Sequence, residues 1–349
     1  MNEQTLTLAD LGWSAFYQSQ LSIEDLETCD PMRVTEVHRN SVEVIGVDGP
    51  TRLPMNRLMV EHGMAVGDWI LKDREGLQAV RVLERKSLIK RGSAGIEAAS
   101  QLIAANIDTL FIVSSCNQDF NIARLERYLA LARQAEVEPV LILTKADLCE
   151  NPDVYTDQAT ELQNVLVEVI DATSPDAATR LAPWCGRGKT VALVGSSGVG
   201  KSTITNTMTG LDLLTRGIRE DDAKGVHTTT ARSMYRMVTG GWLVDTPGMR
   251  ALRLVDARDA VDAVFEDISD LAATCRFNDC KHESEPGCAI LAAIDDGTLS
   301  EARFSRWQKL LREESHNAET IAESRARNRK FHKETRVAQG IKRAKKKAE

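Results

Sequence analysis

The sequence predicts an α/β protein in three parts: an antiparallel β-barrel near the amino terminus, a mostly parallel sheet interleaved with helices, and a helical carboxyl-terminal segment. Three observations carry this prediction. Short β-rich runs crowd residues 31–85, longer apolar runs alternate with helical patterns over 101–255, and three cysteines and a histidine fall within residues 275–288.

Composition sets the outer bounds. At 349 residues the chain exceeds one ordinary core and fits two or three domains, and 42% hydrophobic with 27% charged residues is ordinary for a globular protein. No uncharged apolar stretch reaches the roughly 18 residues of a membrane span. The first thirty residues contain Asp10, Glu24, Asp25 and Glu27 and lack a basic start followed by an apolar block. These observations predict a cytoplasmic protein without a membrane partner. Weak periodicity over residues 1–30 predicts a flexible or helical leader.

After the leader come "RVTEVHR", "SVEVIGV", "DWILKD" and "AVRVLER", separated by Asn40, by Asp48-Gly49-Pro50 and by Gly67-Asp68. Turn formers at this spacing predict a small barrel, with the OB-fold as leading candidate, over residues 31–100 including a connector. Such barrels bind RNA or serve as scaffolds, and the runs alone leave both open.

The segment 101–255 changes character. "IDTLFIVSS", "EPVLILTKADL", "LVEVIDATS", "KTVALVGSS" and "GWLVDTPG" are apolar runs without polar alternation, and "NIARLERYLALARQA" is amphipathic at helical spacing. Strands of this kind are buried on both faces, so a parallel sheet covered by helices is expected, with its chemistry at the carboxyl ends of the strands.

Each of those ends carries a motif. Gly195-Ser196-Ser197-Gly198-Val199-Gly200-Lys201-Ser202 follows an apolar strand and opens the helix "KSTITNTMTG", with Thr203 next in line. Backbone N–H groups and the helix start cradle phosphates there, Lys201 neutralises the outer two, and the Ser202 hydroxyl ligates Mg²⁺. Asp245, ending "GWLVD", reaches the same Mg²⁺ through water, and the Gly248 N–H meets a γ-phosphate. "GVHTTT" offers Thr228, Thr229 or Thr230 as a further Mg²⁺ ligand; the three are equivalent in sequence, and Thr229 stands for them.

Thr144-Lys145-Ala146-Asp147 ends another apolar strand. Asp147 can accept hydrogen bonds from guanine N1–H and N2–H₂, which adenine cannot reproduce, while the Lys145 stem lies along the base. The motif order is therefore guanine, phosphate, threonine, DTPG, which predicts a circularly permuted P-loop GTPase domain bound to GTP or GDP. "IDATS" (170–174) takes the place of the second base-contacting loop, and residues 175–189 join the original ends. Where many GTPases hold a Gln after the DxxG glycine, this chain has Met249, whose thioether cannot hold water usefully. Slow intrinsic turnover follows, with His227 as internal candidate to orient the attacking water and Lys201 and Gly248 as the other groups acting on the γ-phosphate.

Cys275, Cys280, His282 and Cys288 in "CRFNDCKHESEPGC" supply three thiolates and an imidazole, the set for one tetrahedral structural Zn²⁺ per chain, in a domain spanning 256–323. An odd cysteine count of seven suits a reducing compartment better than a disulfide framework. Beyond it, residues 324–349 hold eleven Lys or Arg against Glu334 and Glu349, a net charge of +9 that leaves −16 on the rest of a chain totalling −7. An acidic body with a basic tail predicts a polyanionic partner engaged through the tail.

The whole arrangement resembles the family of ribosome small subunit-dependent GTPases known as RsgA or YjeQ. "VGDW", "AANID", "TKAD", "GSSGVGKST", "HTTT", "DTPG" and "CRFNDCKHESEPGC" carry the resemblance over about residues 30–315. It implies an OB-fold, a permuted GTPase domain and a zinc domain, in a late assembly factor that binds the small ribosomal subunit and its rRNA and hydrolyses GTP there. A monomer is expected. This chain departs from the family pattern at Thr144, where Asn is commoner, at Val226, where Arg is frequent, and at Leu252, where Phe is common. Two rival classes are a permuted GTPase of the large subunit and an RNA-binding module that holds nucleotide as a static ligand.

Overall fold

The short β-rich runs and the long apolar runs become two groups of strands that share one sheet. The computed structural model describes residues 6–91, 101–211, 233–245, 254 and 257–317. The leader forms helices α1 (Ala15–Gln18) and α2 (Ile23–Thr28), followed by β1 (Cys29–Val37), β2 (Ser41–Gly46), β3 (Gly49–Pro54), α3 (Arg57–His62), β4 (Trp69–Asp73) and β5 (Ala79–Val82). These five strands are antiparallel in the order β3-β2-β1-β4-β5. Alternation along β1 and β2 turns Met32, Val34, Val42 and Val44 into a core shared with Leu53, Met59 and Ile70. Asn56 caps α3 by accepting from the Met59 N–H at 3.0 Å and donating to the Ala79 carbonyl at 2.7 Å. The helix thereby lies beside β5, and the result is a partly open five-stranded barrel of OB type.

Strands β6 (Leu88–Arg91) and β7 (Gln101–Ala105) pair with each other and connect the barrel to the second group. That group comprises β8 (Thr109–Ser115), α4 (Ile122–Gln134), β9 (Glu138–Thr144), α5 (Asp153–Ala159), β10 (Leu166–Val169), α6 (Asp176–Cys185), β11 (Thr190–Val194), α7 (Lys201–Thr209), β12 (Ser233–Arg236) and β13 (Trp242–Asp245). Strands β10-β9-β8-β11-β13 are parallel in that order, and β12 runs antiparallel to β13. All residues of β8 and β11 are buried, as strands covered on both faces require.

The path of the chain shows the permutation. From β8 it steps outward through β9 to the edge strand β10, and α6 then returns it to β11 at the centre, between β8 and β13. Side chains of α6 and α7, including Leu181, Ile204 and Met208, join Phe111, Val113, Ile142, Val191 and Leu193 in one core. Burying each large apolar side chain in such a core contributes about 1.5–3 kcal/mol. Helix α4, capped by Asn121 and burying Leu125, Leu129 and Ala132, packs on β8 and β9.

The sheet continues into the barrel because β12 pairs with β1 at Glu36 and Ser233. The leader is docked as well, for reasons its weak periodicity does not reveal. Leu11 and Tyr17 are buried, the Arg187 guanidinium binds the Asp10 carboxylate, and the Trp242 indole N–H donates to the Asp10 carbonyl at 2.7 Å. Arg33 of β1, fully enclosed, donates to the Leu11 carbonyl at 2.5 Å, the Asn106 carbonyl at 3.2 Å and the Thr190 hydroxyl at 2.7 Å. Barrel, leader and central strand accordingly belong to one unit, residues 1–90 with 102–251.

A second unit comprises residues 91–101 with 252–349. Within it, α8 (Arg258–Val264), α9 (Glu266–Ala273), α10 (Ala289–Asp295) and a helical stretch at 301–317 bury Phe265, Ile268, Ile290 and Trp307. Arg303 binds Asp267 through two hydrogen bonds of 2.8 Å and lies 4.9 Å from the Phe265 ring centroid. Among the described residues, no helix is long and apolar enough to cross a membrane. The basic tail, residues 324–349, lies outside the described residues.

Candidate functional site

Parallel register brings the sequence motifs to one end of the sheet. Thr144 at the end of β9 pairs across from Ser115 of β8, while Val194 at the end of β11 pairs across from Ile112 of the same strand. The loops that follow, at 145–148 and 195–200, therefore leave the sheet on the same side.

The phosphate loop needs its glycines. At Gly195 a Cβ would meet the Val113 carbonyl oxygen at 2.2 Å, so the loop approaches β8 as closely as backbone allows. Gly200, at φ +96°, turns the chain into the first residue of α7, Lys201. The Lys201 ammonium donates to the carbonyls of Gly195, at 2.9 Å, and of Ser196, which places the cation across the mouth of the loop. Ser202, the second residue of α7, is exposed.

Thr144 is fully buried, and its hydroxyl donates to the Val199 carbonyl at 2.6 Å, with the Ser114 carbonyl a longer 3.2 Å away. Its side chain thus ties the end of β9 to the phosphate loop. Lys145 follows in the left-handed region at φ +59°, and Ala146, Asp147 and Leu148 make a short 3₁₀ turn that exposes the Asp147 carboxylate. The loop after β10 lies alongside, since the Ile170 N–H donates to the Leu143 carbonyl at 2.8 Å. Asp171 there is held below the usual carboxylate range, first by the Thr173 hydroxyl at 2.6 Å and then by the Thr173 N–H at 2.8 Å.

Asp245 ends β13, next to β11, with its backbone in register with Ser233. His227, Thr228, Thr229, Thr230, Gly248 and Met249 lie outside the described residues. The structure thus gathers the base and phosphate motifs and leaves the threonine and DTPG groups undescribed beyond Asp245.

In the second unit, the ligand atoms of Cys275, Cys280, His282 and Cys288 all lie within 4.8 Å of one another. His282 Nδ1 is 3.6 Å from the Cys275 sulfur and 3.4 Å from that of Cys288, and these two sulfurs are 4.0 Å apart. A tetrahedron with metal–sulfur bonds near 2.3 Å and a metal–nitrogen bond near 2.0 Å spaces its corners by about 3.5–3.8 Å, so the cluster fits a structural zinc ion. Burial lowers the His282 pKa and favours the neutral imidazole that ligates metal. A backbone φ of +59° at His282 and packing of its ring 5.9 Å from Trp307 and 6.3 Å from Phe304 fix its direction.

Comparison with known proteins agrees with this geometry. Residues 82–255 match the family described as RsgA GTPase. Over 343 residues, 98% of this chain and 97% of the relative, the sequence is 47% identical to "Small ribosomal subunit biogenesis GTPase RsgA 2" of Vibrio vulnificus (strain CMCP6). The chain belongs to the RsgA GTPase family. A second member, from Mesorhizobium japonicum, is 49% identical over 316 residues, 89% of this chain and 91% of that one. The fold is that of YjeQ from Thermotoga maritima, with a TM-score of 0.60 at 23% identity, covering 82% of this chain and 98% of that one. It is also that of YloQ, a circularly permuted GTPase, with a TM-score of 0.57 at 22% identity, covering 86% and 96% of the two chains. RsgA membership makes the protein a GTP phosphohydrolase, and the strand order shows the permuted form that the motif order predicts.

Proposed function

We propose that this RsgA-family GTPase binds the small ribosomal subunit, assists its late maturation, and hydrolyses GTP to GDP and phosphate in response to the subunit. The observation that carries the reading is the convergence of Asp147 and the phosphate loop at one end of a permuted sheet. It stands alongside 47% identity over 98% of the chain to a relative named for small-subunit biogenesis.

In this reading Asp147 accepts from guanine N1–H and N2–H₂, and the Lys145 stem and Ala146 line the base. Gly195 to Thr203 wrap the phosphates, with Lys201 turning from loop carbonyls to phosphate oxygens. Ser202, Asp245 and one of the threonines at 228–230, represented by Thr229, hold Mg²⁺, which when bound neutralises charge on the β- and γ-phosphates. The Gly248 N–H contacts the γ-phosphate and His227 orients the attacking water. Zinc at Cys275, Cys280, His282 and Cys288 organises the domain at 256–323 without taking part in chemistry.

The barrel over 31–100, the GTPase domain over 101–255 and the basic tail at 324–349 divide the work of docking and timing. Its net charge of +9 suits the tail to rRNA, whose phosphates reward each lysine and arginine by counterion release. The protein acts as a cytoplasmic monomer with no membrane partner. Co-sedimentation with purified small subunits tests the reading. Retention with a non-hydrolysable GTP analogue and release with GDP are expected, and equal sedimentation with large subunits would contradict it.

A further inference from the structure

Helix α7 carries threonines at 203, 205, 207 and 209, and their hydroxyls do different things. The Thr205 hydroxyl donates to the Lys201 carbonyl at 3.0 Å and that of Thr209 to the Thr205 carbonyl at 2.7 Å, both inside the helix one turn back. Thr207 instead leaves the helix, donating to the Ala172 carbonyl at 2.8 Å in the loop after β10. A mid-helix threonine ordinarily bonds its own backbone, so this outward bond spans two elements that only the fold brings together.

The loop it reaches is held from the other side as well. The Asp171 carboxylate accepts from the Thr173 N–H at 2.8 Å, so the peptide between Ala172 and Thr173 is pinned at its carbonyl by Thr207 and at its N–H by Asp171. Ala172 itself is 6% exposed, and the loop stands next to the Asp147 turn because β10 and β9 are neighbours in register. The Ala172–Thr173 peptide is thereby fixed at both ends, by one residue of its own loop and by one of α7.

We infer that Thr207 is a positioning residue for base selection, holding the loop at 170–174 so that its backbone N–H meets the O6 of guanine. This rests on the reading of Asp147 as the acceptor for N1–H and N2–H₂. A purine held there presents O6 on the atom next to N1, and the loop after β10 is the neighbouring source of donors. Thr207 ties that loop to the helix whose first turn holds the phosphates, so base and phosphate recognition share one rigid mount.

The test compares GDP with 6-thioguanosine diphosphate, which keeps the N1–H and N2 amine that Asp147 accepts from and replaces O6 with a sulfur, a weak hydrogen-bond acceptor. Affinities are measured for the full chain and for Thr207→Val, Thr207→Ser and Thr207→Ala. Loss of the hydroxyl in the Val and Ala variants should weaken GDP binding about fivefold and leave the 6-thio nucleotide nearly unchanged, reducing discrimination by the same factor. The Ser variant should retain it. Equal weakening of both nucleotides in the Val and Ala variants, or discrimination equal to that of the unaltered protein, would overturn the inference. An unaltered protein binding ADP as tightly as GDP would instead overturn the guanine reading beneath it.

Discussion

The hydroxyl of Thr144 lies 2.6 Å from the carbonyl oxygen of Val199 and fastens the end of β9 to the phosphate loop. Gly200, next in the loop, takes a φ of +96° that favours glycine, while a Cβ there would stand at an ordinary 3.4 Å from the same hydroxyl oxygen. Thr144→Val keeps the shape and removes the donor, leaving a buried carbonyl short of a partner at about 1–2 kcal/mol. GTP and GDP should both bind about tenfold more weakly by calorimetry, with guanine selectivity unchanged. Undiminished affinity would show that the bond is incidental to binding.

Asp147 acts at the other end of the same turn. Asp147→Asn replaces an acceptor with a group that can donate to the O2 of xanthine. GTP affinity should fall by about 2–4 kcal/mol while xanthosine triphosphate gains. Competition binding with the two nucleotides reads the exchange directly, and a variant that still prefers GTP contradicts the assignment.

The leader offers a test by pH. Asp10 is held well below its ordinary pKa of 3.8, first by the Arg187 guanidinium and then by the Thr7 hydroxyl at 2.6 Å and N–H at 2.8 Å. A depressed carboxylate pKa adds stability that is complete above the unfolded value and fades as pH falls through and below it. Leader docking should therefore be independent of pH from neutrality to about pH 5 and loosen below about pH 4. Asp10→Ala should loosen it at neutral pH, raising amide exchange across residues 7–20 by about an order of magnitude. Unchanged exchange would mean that Leu11 and Tyr17 hold the leader without the ion pair.

Much of this was legible in the sequence because the signals are local. Apolar runs without alternation gave away β8, β9 and β11, the glycine spacing marked the phosphate loop, and the motif order declared the permutation. What stayed hidden depends on contacts distant in sequence. Arg33 sits among β-formers and reads as a solvated strand residue, yet the fold encloses it under the leader, where burial pushes its pKa down to about 10. Thr207 is one of four threonines in α7 and nothing in its spacing separates it from its neighbours; the bond to Ala172 exists only because the loop after β10 and α7 meet. Leu11 and Tyr17 lack helical or strand periodicity because α1 is four residues long and the leader docks as an irregular segment.

Metal removal tests the second unit. Cys280→Ser should release zinc, because three ligands hold it far less tightly than four, and should unfold α9 and α10 while nucleotide affinity stays within about twofold. Elemental analysis of freshly purified protein should give one zinc per chain, falling to near zero in the variant. A zinc-free parent protein with intact helical structure would contradict the metal reading.

The central claim is that GTP turnover answers to the small ribosomal subunit, and steady-state phosphate release with and without purified subunits measures it. Met249 occupies the position where many GTPases orient water, so turnover alone should be slow. Small subunits should raise it by at least about an order of magnitude, large subunits should not, and His227→Ala should remove most of the increase with nucleotide binding intact. Turnover that is indifferent to small subunits, or equally stimulated by large ones, would contradict the account.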